Sequence, residues 1–192
     1  MKIILLAASS LVISACTTYI PPPYQASPET TSAFQKTGLG NIEVLSVTSD
    51  IDFDNSCPAG NGSISLPNKM PFENYIKKSL IEEFTVADMY DNKSPKIKLD
   101  VTVKELEYFL SHNSLLSVWD VDLIVDSSNG ATLRIHEHYL FDAGAYSLWN
   151  CKKIADAFTP AIQATIFELA KSPKLKELLT PKKSILESNP PQ

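Results

Sequence analysis

Two histidines lie two positions apart in a segment that alternates like a β-strand, and this spacing is suited to metal binding. His136 and His138 share one phase of the alternation across residues 132–141, so both imidazoles project from the same face of the strand. Imidazole nitrogen and carboxylate oxygen are both common zinc ligands. Asp120 and Asp122 share a phase of the preceding alternating segment, and either side chain could supply a third ligand.

A strand face that simply meets solvent explains the same residues without a metal. Arg134 occupies the phase of the two histidines, and alternating arginine and histidine are ordinary on an exposed face. Zinc sites normally have three protein ligands, and the spacing of the sequence does not identify the third. We therefore predict no metal site and no cofactor, with His136 and His138 as weak candidates for metal ligands.

No other motif in the sequence predicts catalysis. The glycine-rich segment at residues 58–63 lacks the Lys-Ser/Thr ending of a phosphate-binding loop. The sequence contains no Gly-x-Ser-x-Gly, His-Glu-x-x-His or Cys-x-x-Cys motif. Glu137 lies on the buried phase of its strand, where we expect a position near the sheet edge or a pairing with Arg134 or a lysine. The alternative is a buried carboxylate with a raised pKa. We predict that the protein has no catalytic residues and is not an enzyme.

The first sixteen residues are typical of a secretory signal peptide. Lys2 precedes an apolar run that ends in small residues before Cys16, and this run is shorter than the roughly 20 apolar residues of a membrane span. The sequence ISAC at positions 13–16 resembles the lipobox of bacterial lipoproteins. The resemblance implies removal of residues 1–15 and lipidation of Cys16. The alternative is an ordinary secreted protein, cleaved at the same place without lipidation.

The residues that follow Cys16 predict where the anchored protein resides. Thr17 occupies the position where retention in the inner membrane would require Asp, so we expect an anchor in the outer membrane and a domain facing the periplasm. Residues 16–40 are rich in Thr, Ser and Pro, a composition that predicts a lipidated N-terminus followed by a flexible tether. A coil of this length would span about 27 Å.

Cys57 and Cys151 are the two cysteines that remain once Cys16 is assigned to lipidation. Exported proteins enter an oxidising compartment, so we predict a disulfide between Cys57 and Cys151. The alternative is a pair of free buried thiols. In the chain-entropy model, closing so long a loop stabilises the fold by about 4 to 5 kcal/mol.

The spacing of apolar residues predicts strands and helices of one domain at residues 41–180. Alternation predicts strands at residues 41–49, 96–110, 116–126 and 132–141, with a bulge after Lys104 and a hairpin turn at Asn129-Gly130. Helical spacing begins at Pro71 and again near Cys151, where Pro160 predicts either a kink or a late start capped by Thr159. The order β-α-β-β-β-α predicts an α+β fold. We expect a two-layer sandwich, an antiparallel four-stranded sheet with both helices on one face, and a disordered tail at residues 181–192.

This pattern resembles the YajG-type family of bacterial lipoproteins. The similarity rests on the lipobox, the order of strands and helices, and the sequence Ile154-Ala155-Asp156-Ala157-Phe158 that opens the last helix. The resemblance implies the fold and the location in the envelope. It implies no catalytic residues, because that family has none established.

Charge and anchoring together indicate a class of function. Lys and Arg number 17 against 22 Asp and Glu, for a net charge of -5, which argues against nucleic-acid binding. We predict a non-enzymatic lipoprotein that binds a protein partner in the cell envelope or takes part in envelope assembly. The uncovered sheet face also makes a homodimer plausible. The alternatives are a lipid- or glycan-binding lipoprotein and a metal-dependent hydrolase that uses His136 and His138.

Overall fold

The computed structural model describes residues 17–60, 62–110, 116–144 and 150–182. Within those ranges the chain forms six strands and four helices. In chain order they are β1 (Thr18–Tyr19), α1 (Pro28–Gln35), β2 (Ile42–Ser49), β3 (Ser63–Ile64), α2 (Phe72–Val86), β4 (Ile97–Phe109), β5 (Leu116–Ser127), β6 (Thr132–Asp142), α3 (Cys151–Lys171) and α4 (Leu175–Leu179).

The four-stranded sheet has the order β2-β4-β5-β6 and is mixed. β4, β5 and β6 form the predicted antiparallel meander. The prediction of a purely antiparallel sheet is wrong, because β2 pairs with β4 in parallel. α2 connects these two neighbouring strands, and a helical crossover returns the chain to the end from which it started. A second, two-stranded parallel sheet joins β1 and β3.

Local features of the meander follow the sequence signals. The register of β4 against β5 shifts between Val103 and Glu105, which confirms the predicted bulge. Gly130 has a φ of +84° in the predicted hairpin turn, a value that glycine adopts without strain.

α3 differs from the late start considered above, since it begins at Cys151 and continues through Pro160. Its N-cap is Asn150, whose side chain accepts a hydrogen bond from the backbone N–H of Lys153.

The core lies between the sheet and the helices and is filled by aromatic rings. Trp119 and Phe158 are fully buried, and their ring centroids lie 5.2 Å apart. The indole N–H of Trp119 donates to the carbonyl of Ile154 over 2.9 Å, which satisfies the buried donor. Phe72 and Phe53 extend this cluster toward the loop after β2. These rings fill the space between the sheet and the helices.

The N-terminal segment, residues 17–36, is docked on the domain, so the prediction of a flexible tether fails for the part that the structure describes. Phe34 of α1 is fully buried, and its ring lies 4.9 Å from that of Phe84 on α2. α1 also has ordinary start signals, because Ser27 caps Thr30 and Pro28 occupies the first turn. A few well-placed aromatic residues therefore outweigh a Thr-, Ser- and Pro-rich composition.

Among residues 17–60, 62–110, 116–144 and 150–182, no helix combines the length and the apolar character that a bilayer span requires.

Candidate functional site

The face of the sheet opposite the helices, here called the outer face, carries two rows of polar side chains. Register places Glu105, Asp122 and His136 side by side on β4, β5 and β6. The next row is Glu107, Asp120 and His138. Side chains in directly opposed positions of neighbouring strands lie close enough to interact. The fold thus brings the two candidate histidine ligands next to both aspartates that could supply a third ligand.

Asp120 contacts both histidines. One carboxylate oxygen lies 2.5 Å from Nε2 of His136, and the other lies 3.1 Å from Nδ1 of His138. The first contact is a hydrogen bond in which the His136 ring N–H donates to the carboxylate, and the second is a close approach of His138 to the other oxygen. Asp120 is only 7% exposed, whereas the side chains of His136 and His138 are 41% and 61% exposed. The arrangement is a buried carboxylate under two imidazoles that solvent can reach.

Asp122 has a different partner, Arg134. The Nε of Arg134 donates to both carboxylate oxygens, at 3.0 and 2.9 Å, and Nη2 donates to one of them. These hydrogen bonds and the charge of Asp122 raise the pKa of the Arg134 guanidinium. Arg134 reaches diagonally, since its directly opposed residue is Ile124. Asp122 is therefore paired with Arg134, whereas Asp120 contacts the two histidines.

The structure therefore selects between the two acids that the sequence offered as a third ligand. One donor atom from each of Asp120, His136 and His138 lies within 4.8 Å of the other two. Two imidazole nitrogens and one carboxylate oxygen form a donor set suited to a divalent transition metal.

Glu137 points to the opposite side of β6, toward α3. Burial raises the pKa of its carboxyl, the charge of Glu168 adds to this effect, and the charge of Lys171 opposes it. Arg134 is engaged with Asp122, and Lys171 forms an ion pair with Glu168 over 2.7 Å. Glu137 is not part of the outer-face cluster.

A row of apolar side chains borders the polar rows on the outer face. Phe109, Val118 and Leu140 are neighbours across β4, β5 and β6. Phe109 is 49% exposed and Leu140 is 62% exposed. Large apolar side chains clustered on an exposed face are typical of contact surfaces.

The predicted disulfide between Cys57 and Cys151 is present in the structure. It joins residues 94 positions apart in the sequence. Cys151 is the first residue of α3, and Cys57 lies in the loop that leads to β3. The disulfide therefore ties the strand on which β1 docks to the helical layer.

A second buried carboxylate, Glu83, holds the N-terminal segment. Glu83 is fully buried and accepts hydrogen bonds from the Tyr24 hydroxyl at 2.8 Å, the Ser27 backbone N–H at 2.8 Å and the Thr31 hydroxyl at 3.3 Å. Burial raises the pKa of the Glu83 carboxyl, and these hydrogen bonds oppose the increase. Burial and the charge of Glu83 likewise raise the pKa of Tyr24.

The sequence analysis did not identify Glu83 as a docking residue. Helical spacing places it three residues after Leu80 and next to Phe84, both of which are buried in α2. A carboxylate inside such an apolar stripe is the signal that could have indicated a buried partner.

The prolines of the N-terminal segment lie against α2 and α3. The Thr159 hydroxyl donates to the carbonyl of Pro22 over 2.6 Å, and the Tyr75 hydroxyl donates to the same carbonyl over 3.2 Å. Gln163 donates to the carbonyl of Gln25 over 2.8 Å. The backbone carbonyls of Pro22 and Gln25 therefore accept hydrogen bonds from side chains of the helices.

The chain is similar to solved structures, one of which is the crystal structure of protein XCC0632 from Xanthomonas campestris, described as family-model DUF330. The TM-score is 0.51 and the sequence identity is 11%, over 84% of this chain and 96% of that chain. The two proteins share a fold. No family model and no curated protein matches the sequence.

Cys16, the predicted site of lipidation, lies outside the described residues, as do residues 1–15 and 183–192. The described chain begins one residue later, at Thr17, whose carbonyl accepts a hydrogen bond from the backbone N–H of Ser63 over 3.0 Å. The hydrogen bond to Ser63 therefore fixes the position of Thr17, the residue that follows Cys16 in the sequence.

Proposed function

We propose that this protein is a lipoprotein of the bacterial outer membrane, anchored through Cys16, whose domain faces the periplasm and binds a protein of the cell envelope without catalysing a reaction. The lipobox-like sequence ISAC at positions 13–16 supports the anchor. The order of elements and the sequence at positions 154–158 support a relation to the YajG-type lipoproteins.

The docked N-terminal segment is the observation that carries this proposal. β1 begins at Thr18, so Thr17 alone separates the paired strand from Cys16. One residue spans at most about 3.6 Å, so acyl chains on Cys16 would hold this side of the domain at the membrane surface. A partner of the anchored protein must then be a component found close to the membrane.

The outer face is the surface that we assign to the partner. The helices and the N-terminal segment pack on the other side of the sheet, and Phe109 and Leu140 remain about half exposed on the outer face. The polar rows beside them supply charges that can select a partner. This combination of an apolar row and a charged border is typical of a protein interface.

Anchoring is tested with Cys16→Ser. We expect the natural protein to incorporate labelled palmitate and to fractionate with the outer membrane, and the variant to lose both properties. A variant that keeps its label and its membrane location would contradict the anchor.

Partner binding is tested with a photocrosslinking amino acid in intact cells. Placed at Leu140, on the outer face, it should give one strong adduct with an envelope protein. Val86, which is 53% exposed at the end of α2, is the matched control and should give none. An adduct with a second copy of this chain would instead identify a homodimer. Equal crosslinking at Leu140 and Val86 would contradict the assignment of the outer face to the partner.

A further inference from the structure

We propose that Asp120, His136 and His138 form a binding site for a divalent transition-metal ion, for which Zn²⁺ is the probe. These residues belong to the polar rows that border the apolar row assigned to the partner, but the test of metal binding requires neither the anchor nor the partner. It is built on the middle of two paired strands, with Asp120 on β5 and both histidines on β6.

The distances between donor atoms are close to those that a metal requires. In a tetrahedral site with metal–ligand bonds of about 2.0 to 2.1 Å, ligand atoms lie roughly 3.4 Å apart. The Asp120 oxygens lie 2.5 and 3.1 Å from the nearest nitrogens of His136 and His138. All three donor atoms fit within 4.8 Å. Small rotations of the imidazoles would convert these contacts into metal–ligand bonds.

The backbone holds the three ligands in fixed relative positions. Asp120 is directly opposite His138, and His136 is opposite Asp122, the next outer-face residue of β5. β5 is paired on both sides, with β4 and with β6. Ligands on paired strands are held more precisely than ligands on loops, so binding would require little ordering of the chain.

The charges around the ligands favour a cation. The two rows contain four carboxylates, from Glu105, Glu107, Asp120 and Asp122. Arg134 provides one opposing charge, so the formal sum with neutral imidazoles is -4 plus 1, or -3. Because the guanidinium is bonded to Asp122, it balances that residue and leaves the charge of Asp120 for the ion.

The chemistry and the exposure of the ligands define the kind of ion and site. Imidazole ligands favour zinc and other first-row transition metals, whereas calcium and magnesium prefer sites made of oxygen atoms. Three protein ligands leave at least one coordination position unfilled. The half-exposed imidazoles place that position on the solvent side, where water would occupy it.

The test uses the full-length protein, purified in mild detergent and treated with a chelator. We expect isothermal titration with Zn²⁺ at pH 7.5 to show one ion per chain, and Co²⁺ to produce visible absorption bands from imidazole coordination. His136→Ala and Asp120→Asn should each weaken binding at least about tenfold.

Asp126→Asn is the matched control. Asp126 lies on the outer face of the same strand, about 20 Å from Asp120 at 3.3 Å per residue, and its carboxylate accepts a hydrogen bond from Thr132. Binding by this variant should stay within twofold of the natural protein. Circular dichroism without metal checks that every variant is folded.

Two results would overturn the proposal. The first is the absence of 1:1 binding by the folded natural protein. The second is equal Zn²⁺ affinity in the natural protein and in folded Asp120→Asn, because the ion would then be held elsewhere, for example by the histidines that remain. Neither result affects the tests of the anchor and the partner, which use Cys16 and Leu140.

Discussion

Glu83 and Asp120 are both withdrawn from solvent, at 0% and 7% exposure, yet their partners differ in kind. The carboxylate of Glu83 is surrounded by uncharged donors from residues 24–31, which are part of the docked N-terminal segment. Asp120 is covered by two imidazoles that solvent reaches. The first arrangement is closed, because its partners are fixed by a folded segment. The second is open, because its partners can exchange a hydrogen bond for another ligand.

This difference separates a structural role from a binding role. A buried carboxylate with fixed donors stabilises the docked segment and is costly to disturb. A carboxylate beneath exposed side chains can be altered at a smaller cost, since water replaces the lost partner. The predictions below test the closed region first and the open region last.

The largest expected effect is removal of the disulfide by Cys57→Ser with Cys151→Ser. The free energy of unfolding should fall by about 4 kcal/mol, because the unfolded chain regains the freedom of a long loop. Urea denaturation measures this loss. The disulfide holds the loop on which β1 docks, so limited proteolysis should first cleave within residues 17–40. A loss below about 1 kcal/mol would show that the closed region does not depend on this bond.

The second test is Gly62→Ala, at the site where β1 meets the loop. Gly62 has a φ of +118°, and a Cβ there would lie 2.0 Å from the carbonyl oxygen of Thr17. Strain and displacement of β1 together should lower the free energy of unfolding by roughly 3 kcal/mol. Thermal or urea denaturation provides the measurement, with protease sensitivity near Tyr19 as a local readout.

Gly60→Ala is the control for that substitution. Gly60 also has a positive φ, +71°, but a Cβ there would meet nothing within 4 Å. Its cost should be limited to the backbone strain of about 1 kcal/mol, and β1 should stay protected. Equal losses from the two variants would mean that the docking of Thr17 contributes nothing.

The third test concerns the pH dependence that Glu83 introduces. Burial raises the pKa of this carboxyl above its ordinary value of 4.5, so the folded protein retains a proton that the unfolded chain has released. The free energy of unfolding therefore decreases as the pH rises from about 4.5 through the raised pKa. Glu83→Gln removes this titration, and its stability should decrease less over that interval. Chemical denaturation at pH 4 to 8 makes the comparison.

Tyr24→Phe serves as the control for the pH experiment. It removes one donor to Glu83 but leaves the carboxyl in place, so the dependence on pH should persist and extend to higher pH, because this hydrogen bond lowers the pKa of Glu83. A profile for Glu83→Gln parallel to that of the natural protein would contradict the assignment.

Much of the fold was predictable because burial on one face of a strand produces alternation. The meander of β4, β5 and β6, its bulge after Val103 and the turn at Gly130 all follow from local sequence signals. The parallel pairing of β2 with β4 did not follow, because alternation within a strand contains no information about the direction of its neighbour. The helix between those two strands was the available clue.

The same distinction applies to the candidate site. The phase of His136 and His138 was predictable from their spacing of two. The choice of Asp120 over Asp122 was not, because it depends on the cross-strand register and on the diagonal reach of Arg134. Docking of the N-terminal segment was equally hidden, since it depends on contacts between residues more than 50 positions apart, such as Tyr24 with Glu83.

The smallest expected effect is that of Asp122→Asn, in the open region. Asp122 is 1% exposed, but the side chain of its partner Arg134 is 66% exposed, so the freed guanidinium can be solvated. We expect a loss of about 1 kcal/mol in the free energy of unfolding at low salt, and a smaller loss in 1 M salt, where screening shortens the reach of the charge to about 3 Å. Asp126→Asn is the control and should change stability less. A loss of 3 to 5 kcal/mol would instead be about the amount expected when a buried ion pair is broken. The acids of the outer face would then be as inaccessible as Glu83, and a metal ion could not reach Asp120 by displacing the two histidines.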